Sequence, residues 1–165
     1  MNDDDRTRAL LHALDRLPGP HHLEHPDGFD RSAARFGATA LRDRLTRDFG
    51  RPCSLDEGIQ DASFSFRVDV PAEAPGAGLL LAVRLSNYGD LAAVTTPAPD
   101  SHDDLDDAVR EGALSAADRV RITAALSGLG YRLVPQRLLR RRYDGETWLA
   151  AEDHATWWTR FFDHL

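Results

Sequence analysis

Lysine is missing from this chain: all 20 basic residues are arginine, set against 27 acids and 7 histidines. No Schiff-base lysine and no P-loop lysine can therefore operate here. Cysteine is nearly missing too. Cys53 stands alone, which excludes an internal disulfide framework. With Asp56 and Glu57 close by, its thiol is expected to be raised in pKa and inert. Apolar runs such as Leu79 to Val83 are only a few residues long, well short of a membrane-spanning helix. The opening M-N-D-D-D-R is acidic where a secretory leader is basic, and no apolar stretch follows, which predicts a cytoplasmic protein. There is no G-x-S-x-G nucleophile elbow. The glycine pairs Gly76/Gly78 and Gly128/Gly130 each lack the third glycine of a dinucleotide turn. No cofactor is expected.

What is present is an ordinary folding composition. Hydrophobic residues are 42% and charged residues 28% of 165, enough for one domain over residues 1–165 with a substantial core. A net charge of −7 disfavours general nucleic-acid binding, whose non-specific affinity comes from clustered basic charge. The arginine bias, with much alanine, aspartate and glycine, looks like GC-rich coding, so each arginine is a weaker sign of function.

Periodicity gives the order of elements. Asp3 to Asp5 open a helix that carries Leu10, Leu11, Leu14 and Leu17 and stops at Pro18-Gly19-Pro20. A second helix near 32–49 aligns Ala34, Ala38, Leu41, Leu45 and Phe49, with Phe36 on the opposite side as a second contact surface. The period then changes to 2. Ala62, Phe64, Phe66, Val68 and Val70 point one way, and Ser63, Ser65, Arg67 and Asp69 the other. Leu79 to Ser86, the turn Asn87 to Asp90 and Leu91 to Thr96 complete a three-stranded antiparallel meander. Capping boxes at Ser101/Asp104 and Ser115/Asp118 predict two more helices, the second carrying Ile122, Ala125, Leu126 and Leu129. Tyr131 to Val134 reads as a short strand. The aromatic tail from Thr156 reads as a final strand paired with Leu138 to Tyr143 across Asp144-Gly145, with a helix as the alternative. The fold class expected is α+β: an antiparallel sheet with the N-terminal and central helices packed on one face.

Three patterns invite chemistry. His21-His22-Leu23-Glu24-His25 spells H-x-x-E-H, the inverted zinc-peptidase signature, which needs both histidines one helical turn apart. Pro18, Pro20 and Pro26 leave too little room for a helix, and proline after His25 favours extended backbone, so a polar loop and no metal site are expected. His102 beside Asp103 and Asp104, and His154 beside Glu152 and Asp153, are adjacent in sequence rather than spaced for one ligand face. Whether His21, His25, His102 and His154 converge depends on the fold. The third pattern is a charge split: six carboxylates and one arginine in Asp100 to Glu111, four arginines and no acid in Arg137 to Arg142. Crowded aspartates repel one another unless a cation relieves them. The arginines are their simplest counterweight, within the chain or across a homodimer.

The tail T-W-W-T-R-F-F-D-H-L, with Tyr143-Asp144-Gly145 upstream, resembles the endings of small proteins from GC-rich actinobacteria, as does Gly19 to Gly28. That resemblance implies no activity. In size, acidity and want of a catalytic motif the chain also resembles immunity proteins of bacterial toxin systems. This second resemblance implies a non-enzymatic module that neutralises a basic protein partner, such as a nuclease toxin. Asp103, Asp104, Asp106, Asp107 and Glu111 would steer the partner, and Tyr88 or Trp148 would anchor it. The alternative is a small enzyme or ligand-binding domain with dispersed His, Asp and Arg.

Overall fold

The computed structural model describes residues 2–19, 23–57, 65–96 and 102–163. Two long helices come first, α1 (Asp3–Asp15) and α2 (Arg31–Phe49). Four strands follow: β1 (Ser54–Asp56), β2 (Phe66–Val70), β3 (Leu81–Leu85) and β4 (Leu91–Thr95). Then come α3 (Leu105–Arg110), α4 (Ala116–Gly128), β5 (Arg132–Leu133), α5 (Gln136–Leu139), a 3₁₀ turn (Trp148–Ala151) and α6 (Trp157–Phe162). The class is α+β, as the change of period predicts. No described helix is long and apolar enough to cross a membrane.

Local chemistry accounts for the helix ends. Asn2 caps α1 by accepting from the Asp5 amide at 2.8 Å, and three aspartates in the first turn complement the helix dipole. Asp30 caps α2 in the same way, and Gly50 closes it in the left-handed region at φ 71°. Ser115 caps α4. For α3 the cap is Asp104 rather than Ser101, which lies outside the described residues.

The sheet order is β1-β2-β3-β4-β5, with every pair antiparallel except the last. The expected meander is β2 to β4, while Ala62 and Phe64 fall outside the described residues. Arg132 and Val134 donate to the Asp90 and Ala92 carbonyls at 2.9 Å, so β5 adds in parallel after the α3–α4 crossover.

Alternation along the strands sends side chains into two cores. Phe66, Val68, Val70, Leu81, Val83, Leu85, Ala92 and Val94 pack against Ala38, Leu41 and Leu45 of α2 and Ile122, Ala125 and Leu126 of α4. Leu91 and Ala93, on the reverse face of β4, pack instead with Leu11 and Leu14 of α1, Leu138 and Leu139 of α5, and Phe161 and Phe162 of α6. Helices therefore cover both faces at β4. Phe36 points away from the first core and is 79% exposed.

The C-terminal segment takes the helical alternative rather than paired strands. Only Arg142 and Thr156 retain a bridge, flanked by the bonds Tyr143 N–H to Ala155 O and Trp157 N–H to Arg141 O. Thr156 and Thr159 form a reciprocal capping box that starts α6 directly after that bridge. The bulk on both sides of the tail is then explained. Trp157 and Phe161 face the core, while Trp158 stacks on Phe162 and under Arg84.

A buried ion pair organises this second core. Arg160 and Asp15 have side chains 0% and 1% exposed, with Nε 2.6 Å from Oδ1. Asp15 also accepts from the Tyr143 hydroxyl at 2.7 Å and from the Glu146 amide at 2.8 Å. The two remaining guanidinium nitrogens have no hydrogen-bond partner; the group lies over the Tyr88 and Phe161 rings, at 4.6 and 5.0 Å from their centroids. Gly145 is required because a Cβ there would overlap both the Asp15 carboxylate and the Tyr143 hydroxyl. Asp144 accepts from Trp157 Nε1 at 3.2 Å and faces His12 at 3.4 Å. The Y-D-G and W-x-x-R elements of the tail are thus two halves of one clamp on α1.

Removing one partner of a buried pair strands the other charge, so Asp15→Ala should lower stability by about 3–5 kcal/mol. Asp103→Ala, from an exposed pair, should cost under about 1 kcal/mol. Equilibrium urea unfolding of both variants measures the contrast, and equal losses would contradict the central place given to the clamp.

Candidate functional site

The acidic run folds onto the basic one. Arg137 of α5 reaches Asp4 of α1 at 2.6 Å and Asp104 at 2.8 Å, joining the start of the chain to the cap of α3. Asp4 is the first cause of the raised Arg137 pKa. Arg140 pairs with Asp103, Arg119 with Asp106, and Arg110 with Asp107 at 2.7 Å. The hydrogen bond from Arg110, ahead of the one from the Asp103 amide, holds the Asp107 carboxyl below the usual range. The arginines are therefore an intramolecular counterweight. Of the five acids expected to steer a partner, only Glu111, exposed at the end of α3, has no ion pair among the described residues. Such pairs at the surface contribute little to stability, but they remove most of the free charge from this face.

Beneath this lattice lies a cavity of about 260 Å³ between the end of β4, the β5–α5 segment, α3 and α4. Val94, Leu105, Ala108, Leu133 and Val134 give it an apolar wall. His102, Thr96 and Gln136 line it with polar groups, and the Asp104–Arg137 and Asp106–Arg119 pairs stand at its edge. Gln136 donates a long 3.4 Å bond to the Val94 carbonyl. Among the described residues, Thr96 Oγ1 and His102 Nδ1 are buried and have no hydrogen-bond partner. A buried polar atom left so costs about 1–3 kcal/mol.

A second cavity, about 420 Å³, opens beside the first turns of α2 and is lined by Ala33, Gly37, Phe66, Asn87 and Tyr131. Here the polar groups are in use: Asp30 caps α2, and Asn87 donates to the Glu24 carbonyl at 3.0 Å. The Tyr131 hydroxyl sits so close to Gly37 that a Cβ there would strike it. Burial, with Asp90 adding to it, pushes the Tyr131 pKa up to about 12.

The aromatic anchors separate sharply. Tyr88 is 0% exposed, which corrects the expectation of a surface anchor. The tight turn at Gly89 and Asp90, both at positive φ, turns the Tyr88 ring inward onto Phe161 and Arg160. Trp148 is 54% exposed, whereas Trp157 is 4% exposed. Trp148 rides on the 143–156 loop, whose base is closed by the Arg142–Thr156 bridge and whose interior is held by Asp15 and Tyr143. Burial and the Asp15 hydrogen bond raise the Tyr143 pKa. Glu146, Glu152 and Asp153 on this loop are exposed and have no arginine partner among the described residues.

The described histidines do not gather. His21 and His22 lie outside the described residues, His25 stacks on Phe29 at 5.3 Å, His102 lines the first cavity, and His154 is exposed on the loop. No three described His, Cys, Asp or Glu residues form a group that could hold a metal ion. Cys53 is buried and its pKa raised, as expected, but burial is the first cause rather than the neighbouring acids; a hydrogen bond involving Thr46 offsets part of it. Sequence reasoning missed Thr96, Gln136, Asp15 and Arg160. Thr96, Gln136 and Asp15 stand in no motif, whereas Arg160 stands inside the aromatic tail pattern, where a lone arginine is a signal of a buried ion pair.

For Tyr131 the folded state holds its proton more tightly than the unfolded chain. The stability this gives is complete below the unfolded pKa near 10 and is lost as pH rises through about 12. Absorbance titration of the tyrosinate band should show a late component that disappears in Tyr131→Phe; a titration unchanged by that substitution would contradict the assignment. No protein-family model, curated protein or solved structure gives a significant match to this chain.

Proposed function

We propose that this chain is a non-enzymatic, cytoplasmic binding protein of the immunity type, which docks on a basic protein partner and covers its phosphate-binding cleft, as on a nuclease toxin. The observation that carries this reading is Trp148, left 54% exposed on a loop whose base is fixed by buried hydrogen bonds. A tryptophan held in place before binding loses little conformational freedom on docking, and tryptophan is among the residues that dominate interface energies. Glu146, Glu152 and Asp153 surround it in sequence with carboxylates that are free to accept bonds from a basic surface.

This reading moves the contact away from α3. Asp103, Asp104, Asp106 and Asp107 already face arginines of their own chain, so they serve as a rim, with Glu111 the unpaired member. Tyr88 takes no part, being inside the core.

Tagged protein in host lysate should retain one dominant, stoichiometric, basic protein at low salt and release it as salt rises. Trp148→Ala should abolish retention, and Glu146→Gln with Glu152→Gln and Asp153→Asn should slow association about tenfold. Replacing the four α3 aspartates by asparagine should have the smaller effect. Retention unchanged by Trp148→Ala, or lost only with the α3 variant, would overturn this assignment.

A further inference from the structure

We propose that the cleft between α1, the end of α5 and the start of α6 binds a phosphate group, free or as the end of a small monoester. Unpaired arginine charge carries the inference. Among the described residues, six of the 20 arginines have no ion pair, hydrogen bond or ring contact for the guanidinium: Arg8, Arg16, Arg51, Arg132, Arg141 and Arg142. Arg8, Arg141 and Arg142 line this one cleft, and all three are exposed. Arg8 lies one turn before His12 on α1, while Arg141 and Arg142 follow α5. Their backbone is fixed: the Arg141 carbonyl accepts from the Trp157 amide at 3.1 Å, and Arg142 bridges to Thr156. Within the basic run, Arg137 and Arg140 answer acids of the chain, and Arg141 and Arg142 do not.

Size and charge select the ligand. The cleft holds about 60 Å³ over a floor of Leu11, Leu138 and Trp157, room for a few water-sized atoms and short of what a ring needs. A phosphate monoester is close to a dianion at pH 7, and its oxygens match guanidinium forks. Asp144 is the one carboxylate among the described lining residues; it accepts from Trp157 Nε1 at 3.2 Å and faces His12 at 3.4 Å. Asp4, one turn before Arg8, is taken by Arg137. Three guanidinium groups against one carboxylate leave the cleft positive in a chain of net charge −7. A nucleic-acid backbone needs a row of such sites, and the nearby loop acids Glu146, Glu152 and Asp153 oppose it. Trp148 does not line the cleft, so the site stands apart from the partner reading.

The test titrates inorganic phosphate, glycerol 3-phosphate, acetate and a single-stranded DNA octamer into isotope-labelled full chain, followed by NMR at fixed ionic strength. Phosphate and glycerol 3-phosphate should give saturable shifts at the side chains of Arg8, Arg141 and Arg142 and at the Trp157 indole, with acetate at least about tenfold weaker. Tighter glycerol 3-phosphate assigns the site to an ester and equal affinity to the free ion, and either result supports it. Arg8→Gln and Arg142→Gln should each weaken phosphate about tenfold at an unchanged melting temperature. Arg16→Gln, an exposed arginine at the end of α1 outside the cleft, should leave it unchanged. Phosphate that leaves the arginine and indole signals in place overturns the proposal. So does acetate binding as tightly, affinity untouched in both cleft variants, or an equal loss in Arg16→Gln, which would mean general charge attraction. Tighter binding of the octamer would make the patch a nucleic-acid surface and overturn it as well. The four-probe comparison uses the wild-type chain and holds whether or not the variants fold.

Discussion

Asp15 and Arg160 leave water together, and the arrangement of the second core follows from that. A carboxylate 1% exposed must have every lone pair answered, and the chain answers with a guanidinium, a phenol and a backbone amide drawn from three separate places. Those donors bring the tail, the Tyr143 strand remnant and the loop after it onto the end of α1. Gly145 is the steric condition of the contact, since only a residue without Cβ leaves room for the carboxylate and the phenol. The guanidinium nitrogens left over are met by aromatic faces, which is why Tyr88 is a core residue and not a surface one.

The same principle operates in weaker form at the surface. Aspartates crowded at the start of α3 would repel one another, and the arginines of α5, α4 and α3 itself lie across from them. Arg137 also ties in Asp4, so the first turn of α1 belongs to the same lattice. Because these pairs are partly solvated, they set relative placement more than they set stability. Their consequence for function is a redistribution of free charge. The conspicuous acidic run is largely neutralised, while the scattered acids of the 143–156 loop are left open around an exposed tryptophan.

Much of this was legible in the chain. The helix over 32–49, the alternation through Val70, the turn at Asn87 to Asp90 and the helix opened by Ser115 all appear where periodicity and caps put them, because each is decided by neighbours within a few residues. The arginine run as counterweight to the acids was legible as chemistry, though not which arginine meets which aspartate. The tail was ambiguous for a physical reason: aromatics on both sides of a short segment suit a strand or a buried helix equally, and the Thr156–Thr159 box settles it. β5 was half legible. Its position could be read, but parallel pairing to β4 depends on the crossover through α3 and α4.

By itself the sequence determined the α+β class, the core-facing positions of the long helices and strands, and the chemistry excluded by having no lysine and one cysteine. These depend on composition and on interactions along one element. Only the tertiary structure decided that Tyr88 is buried and Trp148 exposed, that Asp15 finds Arg160 across 145 residues, and that Thr96 and His102 meet one cavity. Each of those is a contact between elements distant in the chain, and no local pattern encodes which distant atoms will share a space from which water is removed.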